Sequence, residues 1–85
     1  MLIHFTRKFA KQYDKDDLKI KNAFQSRLKF FREDSFNPSL NNHSLRGKYL
    51  GYRSINITGD LRAIFKKNDE TVIFTGIDSH SNLYG

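Results

Sequence analysis

Eighty-five residues leave room for one core, so the chain is expected to form a single domain over residues 1–85. It has no cysteine, which removes a disulfide framework and a thiolate zinc site; eight Phe and four Tyr supply the apolar area that a small core needs. The net charge of +6 favours polyanionic partners, and six cations (Arg46, Lys48, Arg53, Arg62, Lys66 and Lys67) against one acid, Asp60, give the stretch from His43 to Lys67 a net +5. Solubility alone explains scattered charge, but concentration in one segment points to RNA, to an acidic protein, or to both.

In chain order, Leu2 to Phe5 alternates weakly as a strand. The run before the first charges is too short for a signal peptide, and no apolar stretch reaches membrane length, so a cytoplasmic protein without a membrane partner is expected. Thr6 is an acceptable N-cap for a helix to about Tyr13, with Phe9 and Tyr13 four apart on one face. Asp16 or Asp17 caps a second helix, in which Ile20, Phe24, Leu28 and Phe31 recur at helical spacing. The two helices form a hairpin turning near Asp14 to Asp17, and Asn37-Pro38 with Asn41-Asn42 marks a loop.

Gly51 to Ile57, Leu61 to Lys66 and Thr71 to Ile77 are rich in β-branched and aromatic residues and are separated by polar turns. They predict three consecutive antiparallel strands. The fold class is therefore α+β: an N-terminal strand, a two-helix hairpin, then a three-strand meander, with the helices packed on one sheet. The turn at Thr58-Gly59-Asp60 holds two residues or four, and the register stays open because one residue of slip exchanges the faces.

Cutting RNA needs a base for the 2′-hydroxyl proton, a cation beside the charged phosphorane and an acid for the departing 5′-oxygen, with no metal or other cofactor required. A placed acid or base contributes about 10²- to 10⁴-fold in rate. His43, in the polar loop Asn41-Asn42-His43-Ser44, is either a solvated residue or an acid/base. His80, past the last strand, is either part of a frayed tail or a functional group on an exposed loop. Arg62 interrupts an apolar strand and must reach solvent, a carboxylate or a phosphate. Asp60, two residues away at about 6.6 Å on the same strand face, suits a plain ion pair with it. Tyr84 is a core plug or a platform for an unpaired base, and His4 is structural.

Taken together, Leu45-Arg46-Gly47, Gly51-Tyr52-Arg53, Asp60-Leu61-Arg62-Ala63-Ile64-Phe65 and Thr75-Gly76 with His80 and Leu83-Tyr84-Gly85 resemble the signature of RelE-superfamily toxins, nearest the YafQ and YoeB branches. The match covers the C-terminal half; in the N-terminal half only the order strand, helix, helix agrees. The resemblance implies a toxin of a type II toxin–antitoxin system, an endoribonuclease (mRNA interferase) that cuts mRNA on the ribosome and thereby inhibits translation. It implies an acid/base role for His43 ahead of the Leu-x-Gly, and places Asp60 at the YafQ-type catalytic aspartate. Arg62 falls at the YoeB-type phosphate-stabilising arginine, His80 at the catalytic histidine of the C-terminal region and Tyr84 at the terminal catalytic aromatic. Arg46, Lys48, Arg53 and Lys66 are the expected RNA-binding cations.

The implied partners are a cognate acidic antitoxin, the ribosome with its mRNA, and operator DNA only through the antitoxin complex. One departure stands out: where the YafQ pattern has a further histidine after Gly-Tyr-Arg, this chain has Asn56, which does not titrate. Two other readings compete, a ParE-like toxin that inhibits gyrase as a binding protein and an inactive relative kept for its partners. His43 and His80 argue against the gyrase reading.

Overall fold

The computed structural model describes residues 1–84, Tyr84 by its backbone alone. A first strand, β1 (Leu2–Phe5), leads into α1 (Arg7–Lys15) and α2 (Leu18–Glu33). Two 3-10 turns, Pro38–Leu40 and Gly47–Tyr49, flank a two-residue strand, β2 (His43–Ser44). There follow β3 (Arg53–Asn56), β4 (Leu61–Asn68), β5 (Thr71–Ser79) and a short helix, α3 (His80–Tyr84). The expected α+β order holds. Among the described residues no helix is long and apolar enough to cross a membrane.

Both helix starts follow from their caps. The Thr6 hydroxyl accepts from the Phe9 N–H at 3.1 Å, and Asp17, rather than Asp16, accepts from the Ile20 N–H at 3.0 Å. The first helix runs two residues beyond the expected Tyr13. β2 and α3 were not expected, for two local reasons. A two-residue strand carries no alternation to read, and α3 begins only because the Ser79 hydroxyl accepts from the Asn82 N–H at 3.2 Å within a polar stretch that reads as loop.

The sheet order is β1-β5-β4-β3-β2, with β1 parallel to β5 and the other pairs antiparallel. Residues 57–60 form a four-residue connection between β3 and β4, the longer of the two expected lengths, and it is closed by the Thr58 hydroxyl, which accepts from the Leu61 N–H at 3.1 Å. Phe9, Phe24, Leu28 and Phe31 from the helices bury one sheet face by packing on Ile55, Ile57, Ala63, Phe65, Val72 and Phe74. Most ring pairs meet edge-on or tilted, such as Phe24 with Phe74 at 5.4 Å and 87°.

A β-bulge decides what the last strand presents. Phe65 pairs with Phe74 but Ile64 pairs with Gly76, leaving Thr75 as the extra residue. Phe74 and Ile77 therefore both face the helices although they are three apart, and Asp78 turns to the opposite face.

β1 ends at Phe5, which leaves the outer edge of β5 uncovered from residue 75 onward. Gln12 of α1 fills that place: its side-chain oxygen accepts from the Ile77 N–H at 2.8 Å, and its amide nitrogen donates to the Ile77 carbonyl at 3.2 Å. One amide thus substitutes for a missing strand residue. Gln12→Ala is expected to lower stability by about 1–3 kcal/mol, because both main-chain groups lose their partner together; urea denaturation measures it.

Asp16 follows α1 as its C-cap. Burial raises its pKa, the neighbouring Asp17 charge adds to this, and Lys21 opposes it. The folded chain therefore holds this proton more tightly than the unfolded one, so the group favours folding below the unfolded pKa and opposes it once pH rises through the folded value. The negative end of the α1 dipole works in the same direction. Asp16→Asn should raise the urea midpoint at neutral pH, and the gain should vanish as the medium is acidified through the carboxylate range.

Candidate functional site

Directly paired residues in neighbouring strands share a face, so the register writes out the sheet face opposite the helical hairpin, in which Ser54, Ile64 and Arg62 are buried. One row is His43, Ser54, Ile64 and Gly76; the next is Asn56, Arg62 and Asp78. Alternation along β4 adds Lys66, whose ammonium lies 5.7 Å from the Tyr52 ring.

Arg62 sits at the centre of this face and is 3% exposed. Its guanidinium lies across β3: Nε donates to the Ser54 hydroxyl at 2.7 Å, one terminal nitrogen to the Asn56 side-chain oxygen, and the other to the main-chain oxygens of Ser54, at 3.0 Å, and Asn41. A planar fork of five donors suits four oxygens fixed around one strand, and these bonds offset the cost of burying the charge. The expected same-face pairing with Asp60 is corrected. Asp60 lies in the 57–60 turn before β4 begins, it is exposed, and the cross-strand neighbour of Arg62 is Asp78.

Asp60 has a different close contact. Its carbonyl accepts from the His80 N–H at 2.6 Å, which ties the start of α3 to the turn. Both side chains are exposed at this end of the sheet. His43 is exposed on the edge strand; it pairs with Ser54 and follows Asn41, the residue whose carbonyl Arg62 holds, by two. The structure thus brings Asp60 and His80 into direct contact and links His43 to Arg62 through Ser54 and Asn41. The Tyr84 side chain lies outside the described residues.

The four expected RNA-binding cations divide. Arg46, Lys48 and Lys66 are exposed. Arg53 differs: it pairs with Phe65 and so faces the helices, where Nε donates to the Asn42 side-chain oxygen at 2.7 Å, a terminal nitrogen donates to the Asn42 carbonyl at 3.2 Å, and the guanidinium covers the Phe36 ring at 5.2 Å. β3 begins at Arg53, and its alternation sends this side chain away from His43. Among the described residues no three of His, Cys, Asp and Glu gather as metal ligands.

Sequence reasoning missed Asn41, Ser54 and Asn56 as acceptors for Arg62. A signal existed: Ser54 and Asn56 are polar residues two apart on either side of Ile55, which places them on one face, as the lone arginine of the next strand requires. Asn56 also donates from its amide to the Ser39 carbonyl at 3.3 Å, bridging Arg62 to the loop. Arg62→Lys should cost about 2–4 kcal/mol in urea denaturation, since a point ammonium cannot serve four fixed oxygens. Arg53→Lys, at a half-exposed site, should cost about 1 kcal/mol or less.

The model of a protein family described as a bacterial toxin of type II toxin–antitoxin system, YafQ, matches residues 1–85. A comparison with curated protein sequences finds no match. Among solved structures, a YoeB/ParE toxin from Agrobacterium tumefaciens superposes with a TM-score of 0.76 at 16% identity, over 94% of this chain and 99% of that one. YafQ from Escherichia coli superposes with a TM-score of 0.72 at 20% identity, over 98% and 97%. The same toxin in its complex with DinJ gives 0.69 at 21% identity, over 98% and 97%. At these identities the superpositions speak for the fold.

Proposed function

Because the chain belongs to the YafQ family of bacterial type II toxin–antitoxin toxins, we propose that it is an mRNA endoribonuclease that cuts on the ribosome, inhibits translation in the cytoplasm and is held silent by an acidic antitoxin. The observation that carries this reading is the 2.6 Å bond between the His80 N–H and the Asp60 carbonyl. It keeps a histidine and a carboxylate, both exposed, at one end of a sheet face whose adjoining rows hold Arg62 and His43.

In the proposed reaction the 2′-oxygen attacks the neighbouring phosphorus, the bond to the 5′-oxygen breaks, and a 2′,3′-cyclic phosphate is left. His43 and His80 share the proton transfers, one accepting from the 2′-hydroxyl and the other donating to the 5′-oxygen. Asp60 adds a negative charge to the end of the sheet where His80 stands, and Arg62 supplies positive potential from beneath the site, where a fixed charge stabilises the phosphorane without reorganising. Tyr84 keeps the role of terminal catalytic aromatic that the resemblance gives it, and Arg46, Lys48 and Lys66 hold flanking phosphates; Arg53 supports β3 instead. At the position of the further YafQ histidine, Asn56 gives its oxygen to Arg62, so proton transfer falls to the two histidines.

E. coli YafQ has been solved in complex with DinJ, which supports an antitoxin partner for this chain as well. The net +5 stretch from His43 to Lys67 suits an acidic, partly disordered protein, and operator DNA is reached through that complex.

His80→Gln keeps a similar volume but moves no proton. It should abolish growth arrest and mRNA cleavage, by about 10²-fold or more in rate, while melting and antitoxin binding stay as in the parent. Primer extension on a translated mRNA gives the readout. Undiminished cleavage by the folded variant would remove His80 from the chemistry, and growth arrest with intact mRNA but impaired supercoiling would replace the nuclease reading with gyrase inhibition.

A further inference from the structure

Between β2 and β3 the chain buries Leu45 and then makes a turn over Gly47 to Tyr52 in which no residue is buried. Gly47 and Gly51 adopt φ values of +62° and +91°, which favour glycine. Three main-chain bonds hold the turn: Tyr49 N–H to the Arg46 carbonyl at 3.1 Å, Leu50 N–H to Gly47 at 3.0 Å and Tyr52 N–H to Tyr49 at 2.9 Å. The result sets Tyr49 against Tyr52, with ring centroids 6.2 Å apart and planes at 79°.

Each ring carries an ammonium. Lys48 Nζ lies 5.2 Å from the Tyr49 centroid and Lys66 Nζ lies 5.7 Å from the Tyr52 centroid. Neither tyrosine belongs to the buried core; both are half-exposed, both lysines are exposed, and Leu50 at the tip is 78% exposed. Exposed cation–π contacts stabilise a fold only weakly, so this aromatic surface is not accounted for by stability.

Its location is specific. The Tyr52 carbonyl accepts from the Leu45 N–H at 2.9 Å, and Tyr52 lies one pleat along β3 from Ser54, the partner of His43. The tyrosine pair thus occupies the same sheet face as the candidate site, about 7 Å along the strand from the His43 row. Aromatic faces interleaved with cations are how proteins hold single-stranded nucleic acid, the rings stacking on bases and the cations taking phosphates.

We propose that Tyr49 and Tyr52, flanked by Lys48 and Lys66, form a stacking subsite for an unpaired RNA base next to the bond that is cut. The location beside the scissile bond rests on the nuclease reading above; the binding of a base does not. An acidic protein would find the lysines equally well, but ring faces with a cation beside each match the alternation of base and phosphate along a single strand, which favours the RNA occupant.

The test uses the full chain and a fluorescently labelled, 2′-O-methylated single-stranded RNA dodecamer, which resists cleavage, with binding followed by anisotropy. Tyr49→Leu should weaken binding about tenfold and Tyr49→Phe by less than about twofold, since the ring and not the hydroxyl stacks. Lys66→Gln should lower the slope of log affinity against log salt by about 0.7. In the parent protein, RNA should also shift the Tyr49 and Tyr52 ring protons, a readout that holds even if a variant melts.

No binding by the parent, equal binding by a folded Tyr49→Leu, or unmoved ring protons would each overturn the subsite. So would a Tyr49→Leu variant that keeps its RNA affinity but loses the acidic protein encoded beside it, since the surface would then serve that partner. A parent that binds the dodecamer through Tyr49 yet cuts no translated mRNA would sink the nuclease reading and leave the subsite standing.

Discussion

A guanidinium buried in a sheet needs acceptors from whatever lies around it, and here that need organises one face of the molecule. Arg62 draws on Ser54 and Asn56 in the next strand and on the carbonyl of Asn41 in the loop before β2. Asn41 must then stand where its carbonyl points inward, which its left-handed φ of 47° achieves. The loop is prepared for this by its own side chains: Asn37 accepts from the Ser39 N–H at 3.0 Å, and Asn42 donates to the Ser35 carbonyl at 2.8 Å. A polar stretch that would otherwise wander thus delivers His43 to the sheet edge in a defined position. The same four bonds stabilise the fold, and in the proposed reaction they leave Arg62 to act on RNA through its field and through the segments it holds.

The opposite face depends on apolar packing, and the bulge at Thr75 reconciles the two. Without the extra residue, Gly76 would face the helices and leave a hole, while Ile77 would face outward in place of Asp78. With it, Ile77 joins the aromatic core, and Gly76 leaves space in which the Gln12 amide can reach the strand; a Cβ there would lie 3.3 Å from the Gln12 oxygen. The Asp78 side-chain oxygen then accepts from the Ser79 N–H at 2.8 Å and from the Asn82 amide at 2.8 Å, which starts α3 and sets His80 beside Asp60. The core and the candidate site are therefore joined through a single irregularity in β5.

Much of this was legible in advance where periodicity or capping chemistry speaks. Phe24, Leu28 and Phe31 mark the buried stripe of α2, Thr6 marks its own cap, and the three later strands announce themselves by composition. What stayed hidden was tertiary. Nothing local says that Asp60 belongs to a turn and not to the strand of Arg62, nor that Arg53 and Ser54 point in opposite directions, because both depend on the register. Gln12 reads as one more polar residue on a basic helix; its role exists only because β1 stops short of the end of β5. The residues carrying the resemblance were visible as a set, but their mutual contacts, His80 to Asp60 above all, needed the bulge and the Ser79 cap, which no spacing rule encodes.

The pairing of β1 with β5 has a kinetic corollary. The two strands are parallel neighbours although they lie at opposite ends of the chain; the hydroxyl of Thr6 reaches the carbonyl of Thr75 across a separation of 69 residues. Loop closure of that size is slow compared with helix or hairpin formation, so the helical pair and the β3-β4-β5 meander can assemble first while Leu2–Phe5 waits for its neighbour. A chain still short of residue 71 has no partner for that strand, and its Phe5 ring meets Phe9 and Phe24 but lacks the stacking on Phe74 at 5.8 Å. Completion of the fold is thereby deferred until nearly all of these residues have been synthesised, and a nascent copy remains an open sheet edge until then.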